Sequence, residues 1–352
     1  MGLNRKMTIL IGYDGSVCAD RAIDDLSYAG LPVDGVAHVL SIAESWLPDP
    51  QSFGARSSTT SRDPIAKSNQ KHGEKALSEA RILADHATRR VRGLLPGWEV
   101  KSHTAYGSPS REIVGAANKL DVDLIIMGSQ GHSTLTPCSI GSIANKVLVE
   151  ANCSVRLVHA TPKANSAPTQ IVVGFDGSEG SRAAIDAIAE RCWTPGTVMK
   201  LIAVTEPTEP RSLDRFVQTR PRRTGSAAKS GSELLGPLSD IDEQMLARCG
   251  LATSMLIRAG NPKHVLIDEA WRSNADAIIV GANLWGANIE NARLGSTAAA
   301  IAARANCTVE VVRKRSAGRL GVVSDSDDRA DHVAPIKHTR FHDASMVRGN
   351  PW

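Results

Sequence analysis

Aromatic residues are scarce in this chain: Phe, Trp and Tyr together make up 4% of it. A core with so few rings must be filled by Val, Ile, Leu and Ala, which suits helices packed on a parallel sheet. Long apolar runs are also missing, and none approaches the roughly 20 residues of a membrane span. Membrane insertion is therefore not expected. Nor is there a surplus of one charge. The net charge is +4 over 352 residues, with Arg and Lys interleaved among Asp and Glu, so the basic footprint of a nucleic-acid binder is absent. Six cysteines (Cys18, Cys138, Cys153, Cys192, Cys249 and Cys307) are widely scattered. No pair has Cys-x-x-Cys spacing and none sits with His at zinc-ligand intervals, so buried, reduced structural thiols and no metal site are expected. The first six residues lead into a short strand-like run rather than the apolar core of a signal peptide, which points to a cytoplasmic protein.

What the chain does have is a repeat. Residues 8–16 read T-I-L-I-G-Y-D-G-S and residues 170–178 read Q-I-V-V-G-F-D-G-S. G-S-P at 107–109 is answered by G-N-P at 260–262, and D-L-I-I-M-G at 123–128 by D-A-I-I-V-G at 276–281. G-S at 141–142 returns at 295–296, and N-C-S-V-R-L-V at 152–158 returns as N-C-T-V-E-V-V at 306–312. The offsets, 162, 153, 153, 154 and 154, drift only slightly and keep their order, as duplication followed by loop insertions would leave them.

Each copy alternates strand and helix signals. Residues 9–13 form an all-apolar run closed by Asp-Gly-Ser, as for a strand buried on both faces. Helical periodicity follows over 19–28, a second strand over 36–42, and a long helix over 72–95 that ends at Pro96-Gly97. Strand three is expected over 100–106, helix three over 112–120 with Pro109 near its start, and strand four over 124–127. Helix four over 142–150 and strand five over 155–158 complete the copy. The expected fold class is α/β: two tandem, five-stranded parallel-sheet domains of Rossmann-like form, covering residues 1–162 and 168–315. Two Ser-, Pro-, Thr- and Arg-rich segments, 46–69 and 206–231, read as long loops after strand two of each copy. The polar stretch 316–352 reads as a disordered tail, in which His338 and His342 stand four apart without a helix to display them.

The most informative stretch is Gly128-Ser-Gln-Gly131, nine residues, then Gly141-Ser142. It follows strand four and opens helix four. In open parallel sheets ligands sit outside the carboxyl ends of the strands, where the topology changes direction. Glycines there admit an anion to main-chain N–H groups, and a helix start stabilises phosphate. The Ser142 hydroxyl adds a donor. The same glycines are also consistent with tight turns alone.

These motifs resemble the universal stress protein family, and the spacing Gly-x2-Gly-x9-Gly-Ser resembles its ATP-binding branch. The resemblance covers both repeats and leaves out the long inserts and the tail. It implies the adenine nucleotide alpha hydrolase-like fold, with adenine held near strands one and two. It also implies an ATP site, with Mg2+ as the companion ion, drawn from Asp14, Ile42, Gly128, Gly131, His132, Gly141, Ser142 and Ile143. Asp14 would reach the nucleoside, although it can equally be a turn or cap residue before helix one. His132 would touch a phosphate or remain a plain loop histidine. Family members pair through strand five, so 155–158 and 309–312 are expected to make an intramolecular pseudo-dimer, with a homodimer as a further arrangement.

Departures from the family pattern are visible. Ala144 stands where many ATP-binding members carry a second hydroxyl, and Gln130 where His is common. In the second copy Leu284 replaces a loop glycine and one extra residue precedes Gly295-Ser296, so that copy is expected to bind ATP weakly or not at all; Gly286 is an alternative loop glycine. No Walker lysine motif and no nucleophile elbow are present, and Lys146 one turn into helix four reads as a surface charge. A non-enzymatic, nucleotide-dependent stress or signalling module acting through a protein partner is the expected function. The alternatives are a nucleotide-free scaffold working through protein contacts, and an α/β-phosphate-cleaving enzyme, for which Asp14-Gly15-Ser16 is too short a loop.

Overall fold

The computed structural model describes residues 5–44, 64–131, 140–159, 168–205, 247–282 and 294–314. Segments 46–63 and 206–231, the tail 316–352, His132, Cys138, Leu284, Gly286, His338 and His342 all lie outside those residues.

Among the described residues ten strands form a single sheet. In the first half they are β1 (Met7–Gly12), β2 (Gly35–Glu44), β3 (Trp98–Gly107), β4 (Leu124–Gly128) and β5 (Ser154–Val158). The second half supplies β6 (Gln170–Phe175), β7 (Val198–Thr205), β8 (Ala252–Ala259), β9 (Ala277–Gly281) and β10 (Thr308–Val312). The order across the sheet is β3-β2-β1-β4-β5-β10-β9-β6-β7-β8. All pairings within a half are parallel, and the one between halves, β5 with β10, is antiparallel. The carboxyl ends of the two sets of strands therefore lie on opposite edges of the sheet.

Helices cover both faces. They are α1 (Val17–Asp24), α2 (Pro64–Leu94), α3 (Pro109–Lys119), α4 (Ser142–Glu150), α5 (Glu179–Ala189), α6 (Pro262–Arg272) and α7 (Ser296–Arg304). Strands β4, β5 and β10 are buried along their whole length, which is why they read as unbroken apolar runs. One core cluster runs through both halves and includes Leu10, Ile125, Val155, Val309 and Ile278.

Three expectations are corrected. The long helix begins at Pro64, inside the segment read as a loop; proline fits a first helical turn because its missing N–H would have no partner there. The helix expected over 19–28 stops at Asp24 and tightens into a 3-10 turn, Asp25–Tyr28. That turn carries the Asp25 carboxylate inward to Arg156. The thiols are not all buried: Cys249 and Cys307 are, but Cys192 is exposed.

The seam between the halves is tied by charge. Arg156 Nε donates to Asp25 Oδ2 at 2.5 Å, and its Nη1 donates to Glu310 Oε2 at 3.0 Å. Arg191 binds the same Glu310 carboxylate through both terminal nitrogens. Burial alone would discharge these groups, yet the paired opposite charges hold the Arg156 guanidinium protonated and the Glu310 carboxyl below its usual range. Arg313 reaches back from the second half to the carbonyls of Leu148 and Cys153, at the end of α4. The repeat places His159 at the corresponding spot, and it bonds the Ala302 backbone in α7.

Burial pushes the His159 imidazole down from 6.5 to about 4. The unfolded chain then takes up a proton near pH 6.5 that the folded chain refuses until about pH 4. Stability present above pH 6.5 is lost as the pH falls through that window. Calorimetry from pH 7.5 to 4.5 should show the unfolding midpoint declining, and His159→Gln should flatten the decline.

Candidate functional site

β1 is the shortest-reaching strand at the centre of the first half. Its last residue, Gly12, faces Leu40, while β2 continues through residues 41–44 paired with β3 only. On the other side β4 runs to Gly128. The chain leaves β1 towards β2 and comes back to its opposite side at β4, a change of direction at which sheets of this kind leave a crevice over the strand end.

Asp14 lies exposed at that opening. Its Oδ1 accepts from the Ser16 N–H at 2.9 Å, and the turn is completed by Gly15 in the left-handed region at φ 79. The cap of α1 is Ser16, whose hydroxyl accepts from the Ala19 N–H at 3.2 Å. Asp14 thus shapes the turn with one oxygen, and a neighbour caps the helix. The other oxygen, Oδ2, lies 3.0 Å from where a Cβ on Gly131 would stand.

The glycines divide into two kinds. A Cβ on Gly128 would fall 2.7 Å from the carbonyl carbon of Cys18, so this glycine lets α1 lie directly on the end of β4. The second half repeats the contact more tightly: a Cβ on Gly281 would stand 2.0 Å from the carbonyl carbon of Gly180. Gly131 and Gly141 instead border the crevice. The Gly141 N–H donates to the Ser129 carbonyl at 2.7 Å, and a Cβ on Gly141 would sit 3.3 Å from that same oxygen. One hydrogen bond therefore joins the chain on either side of residues 132–139, and Gly131, Gly141 and Asp14 lie together.

Gly141 is the N-cap of α4, with φ -68 and ψ 156 and no side chain to bond the first-turn N–H groups. No acidic residue lies in that turn, so its positive end is left for an anion. Ser142 is exposed beside it. Ile42 and Ile143 are half-buried and pack on the central core cluster. Ala144 is buried in that cluster, 2% exposed, so its methyl contributes packing from the helix's inner face. Lys146 is exposed.

Sequence reasoning missed what holds this loop: the Ser129 carbonyl and the backbone of Cys18. Gly180 at the Cys18 position of the second copy was the available signal, because a helix glycine there implies close approach. It also missed a brace on α1. The Tyr13 hydroxyl donates to Asp20 at 2.9 Å, and Arg90 of α2 binds both Asp20 and Asp24. Burial, then the bond to Asp20, pushes the Tyr13 phenol up to about 12.

In the second half Asp176 copies the Asp14 turn, accepting from the Ser178 N–H at 3.0 Å. Burial opposes its charge, but hydrogen bonds from Ser178 and Ser181 outweigh that and hold the carboxyl below its usual range. Among the described residues no group of three or more His, Cys, Asp or Glu could hold a metal ion, and no helix is long and apolar enough to cross a membrane.

The sequence model of the universal stress protein family matches residues 7–159 and again 168–313. A universal stress protein of Methanocaldococcus jannaschii is 28% identical over 153 residues, 43% of this chain and 69% of that one. A universal stress protein of Thermus aquaticus is 31% identical over 153 residues, covering 43% and 97%. Among solved structures, a universal stress protein of Archaeoglobus fulgidus superposes with a TM-score of 0.57 at 16% identity, over 88% of this chain and 97% of that one. Two consecutive family matches, a repeat of the same strand order and the shared fold lead to one conclusion: the chain belongs to the universal stress protein family, with two such domains in tandem.

Proposed function

We propose that the first half binds ATP and that the protein is a nucleotide-dependent stress or signalling module rather than an enzyme. The observation that carries this reading is the Ser129–Gly141 hydrogen bond. It folds the glycine loop so that two side-chain-free residues, the uncapped start of α4 and Asp14 all border the crevice above β1. Main-chain donors at a helix start suit phosphate, and Asp14 suits the nucleoside hydroxyls. Ile42, on the overhang of β2, suits the adenine face. Mg2+ would arrive with the phosphates, because the described residues offer it no cluster of their own. The same reading places the protein in the cytoplasm, in keeping with five cysteines outside any disulfide among the described residues.

The second half supports a different role. Its close Gly281–Gly180 contact keeps the fold, while Leu284 takes the place of the phosphate-facing glycine in its sequence. We infer that it acts as a nucleotide-free partner domain.

Calorimetric titration of the full chain with ATP tests both readings, with an expected stoichiometry of one. Gly141→Asp keeps an allowed backbone and adds a good N-cap, which offsets the 3.3 Å approach of its Cβ to the Ser129 carbonyl, so stability should change by less than about 1 kcal/mol. Its carboxylate at the phosphate position should weaken ATP binding about ten- to a hundredfold, the weight of one or two charge-assisted bonds. Gly131→Val should weaken binding similarly by crowding Asp14. Gly128→Ala should instead lower stability by about 1–3 kcal/mol, because its methyl meets the Cys18 backbone. Undiminished ATP binding by Gly131→Val and Gly141→Asp would remove the site from this loop, and two equivalents bound would return the second half to the nucleotide binders.

A further inference from the structure

The antiparallel pairing at the seam has a centre. Val155 faces Val311, Arg156 faces Glu310 and Leu157 faces Val309. With the repeat offset of 154, positions 156 and 310 are copies of each other, so the pseudo-twofold axis relating the halves passes between these two side chains. A residue on such an axis faces its own counterpart. If either half paired through this edge with a second copy of itself, Arg156 would meet Arg156, or Glu310 would meet Glu310.

The surrounding groups carry the same asymmetry. Asp25 of the first half corresponds to Ala187 of the second, and Arg191 of the second corresponds to Ala29 of the first. Each half therefore brings one acid and one base, in opposite arrangement. Asp25 neutralises Arg156 from within its own half, and Arg191 neutralises Glu310 from within the other. The bond that crosses the axis is Arg156 Nη1 to Glu310 Oε2 at 3.0 Å. Side chains of 156 and 310 are 1% and 0% exposed, so neither water nor salt screens what they meet.

We propose that the charge pair on this axis makes the seam selective: each half accepts the other as its partner and rejects a second copy of itself. Like charges brought together in a dry interface discriminate far more strongly than the apolar residues around them, which are Val155 and Leu157 in the first copy and Val309 and Val311 in the second. The edge that β5 and β10 share is thereby reserved for one half of each kind. A homodimer of whole chains built on β5 against β5, or β10 against β10, is excluded.

Full-length variants can place like charges on the axis within one chain, with Asp25 and Arg191 left as they are. Glu310→Arg puts arginine against arginine, and Arg156→Glu puts glutamate against glutamate. In Arg156→Gln/Glu310→Gln the two amides can bond in any combination. Hydrogen exchange is read at the β5 and β10 amides, with β1 and β6 as the measure of folding within each half. Both like-charge variants should lose protection at the seam by about a hundredfold or more while β1 and β6 stay protected, and the double-glutamine chain should stay within about tenfold of the parent. Seam protection within about threefold of the parent in the like-charge chains overturns the proposal. If those chains do not fold, urea unfolding of Arg156→Gln, Glu310→Gln and the double variant decides. Coupling above about threefold in the folding constant supports the axial pair as a selective contact, and less than that overturns it.

Discussion

A guanidinium lies fully out of water at the middle of this sheet, and the assembly of the two halves depends on its being matched. Arg156 is 1% exposed and satisfied by two carboxylates, Asp25 on its own side and Glu310 across the seam. Removing one partner from such a buried group typically costs about 3–5 kcal/mol, a large share of the roughly 5–15 kcal/mol that holds a domain folded. Hydrophobic contact does much of the joining, since Val155, Leu157, Val309 and Val311 are all buried. It does little to fix the identity of the partner, because Val155 and Leu157 in one copy and Val309 and Val311 in the other are similar in character. The charge does that.

From the seam the rest of the geometry follows. An antiparallel join between two parallel five-stranded sets turns the carboxyl ends of the halves to opposite edges of the sheet. The two copies of the Asp-Gly-Ser turn therefore cannot share one ligand. The helix that follows the first glycine loop, α4, is fastened at its far end by Arg313 from the second half. The glycine start of that helix and the seam are thus joined through one element, α4.

The glycine pattern gains its meaning from these contacts. Gly128 and Gly281 exist because a helix lies on the strand end, and both halves retain them. Gly131 and Gly141 lie beside Asp14 instead; Gly141 has a counterpart in Gly295, whereas the second half's sequence has Leu284 where Gly131 would be repeated. A motif of four matched positions therefore contains a glycine that packing requires, and family membership by itself speaks mainly for that kind. Similarity to the Archaeoglobus protein at 16% identity speaks for the fold.

Much was legible in the amino-acid order. The alternation of strands and helices, the strands buried on both faces and the glycine spacing between β4 and α4 are local patterns, and the duplication shows because the same local patterns recur at a nearly constant offset. The start of the long helix at Pro64 was missed because the polar composition around it is that of a loop, and a helix docked on a sheet tolerates such composition. Asp25, Arg156, Arg191 and Glu310 are 131, 119 and 154 residues apart in the pairs that bond. Their meeting depends on where the axis between the copies falls, which no local pattern encodes. The same holds for the Gly128 contact with Cys18 and for the oxygen that closes the loop at Gly141. Short-range chemistry fixed the elements; only the packing of one half on the other, and of helix on strand, decided which side chains met in the dark interior and which main-chain groups were left facing water.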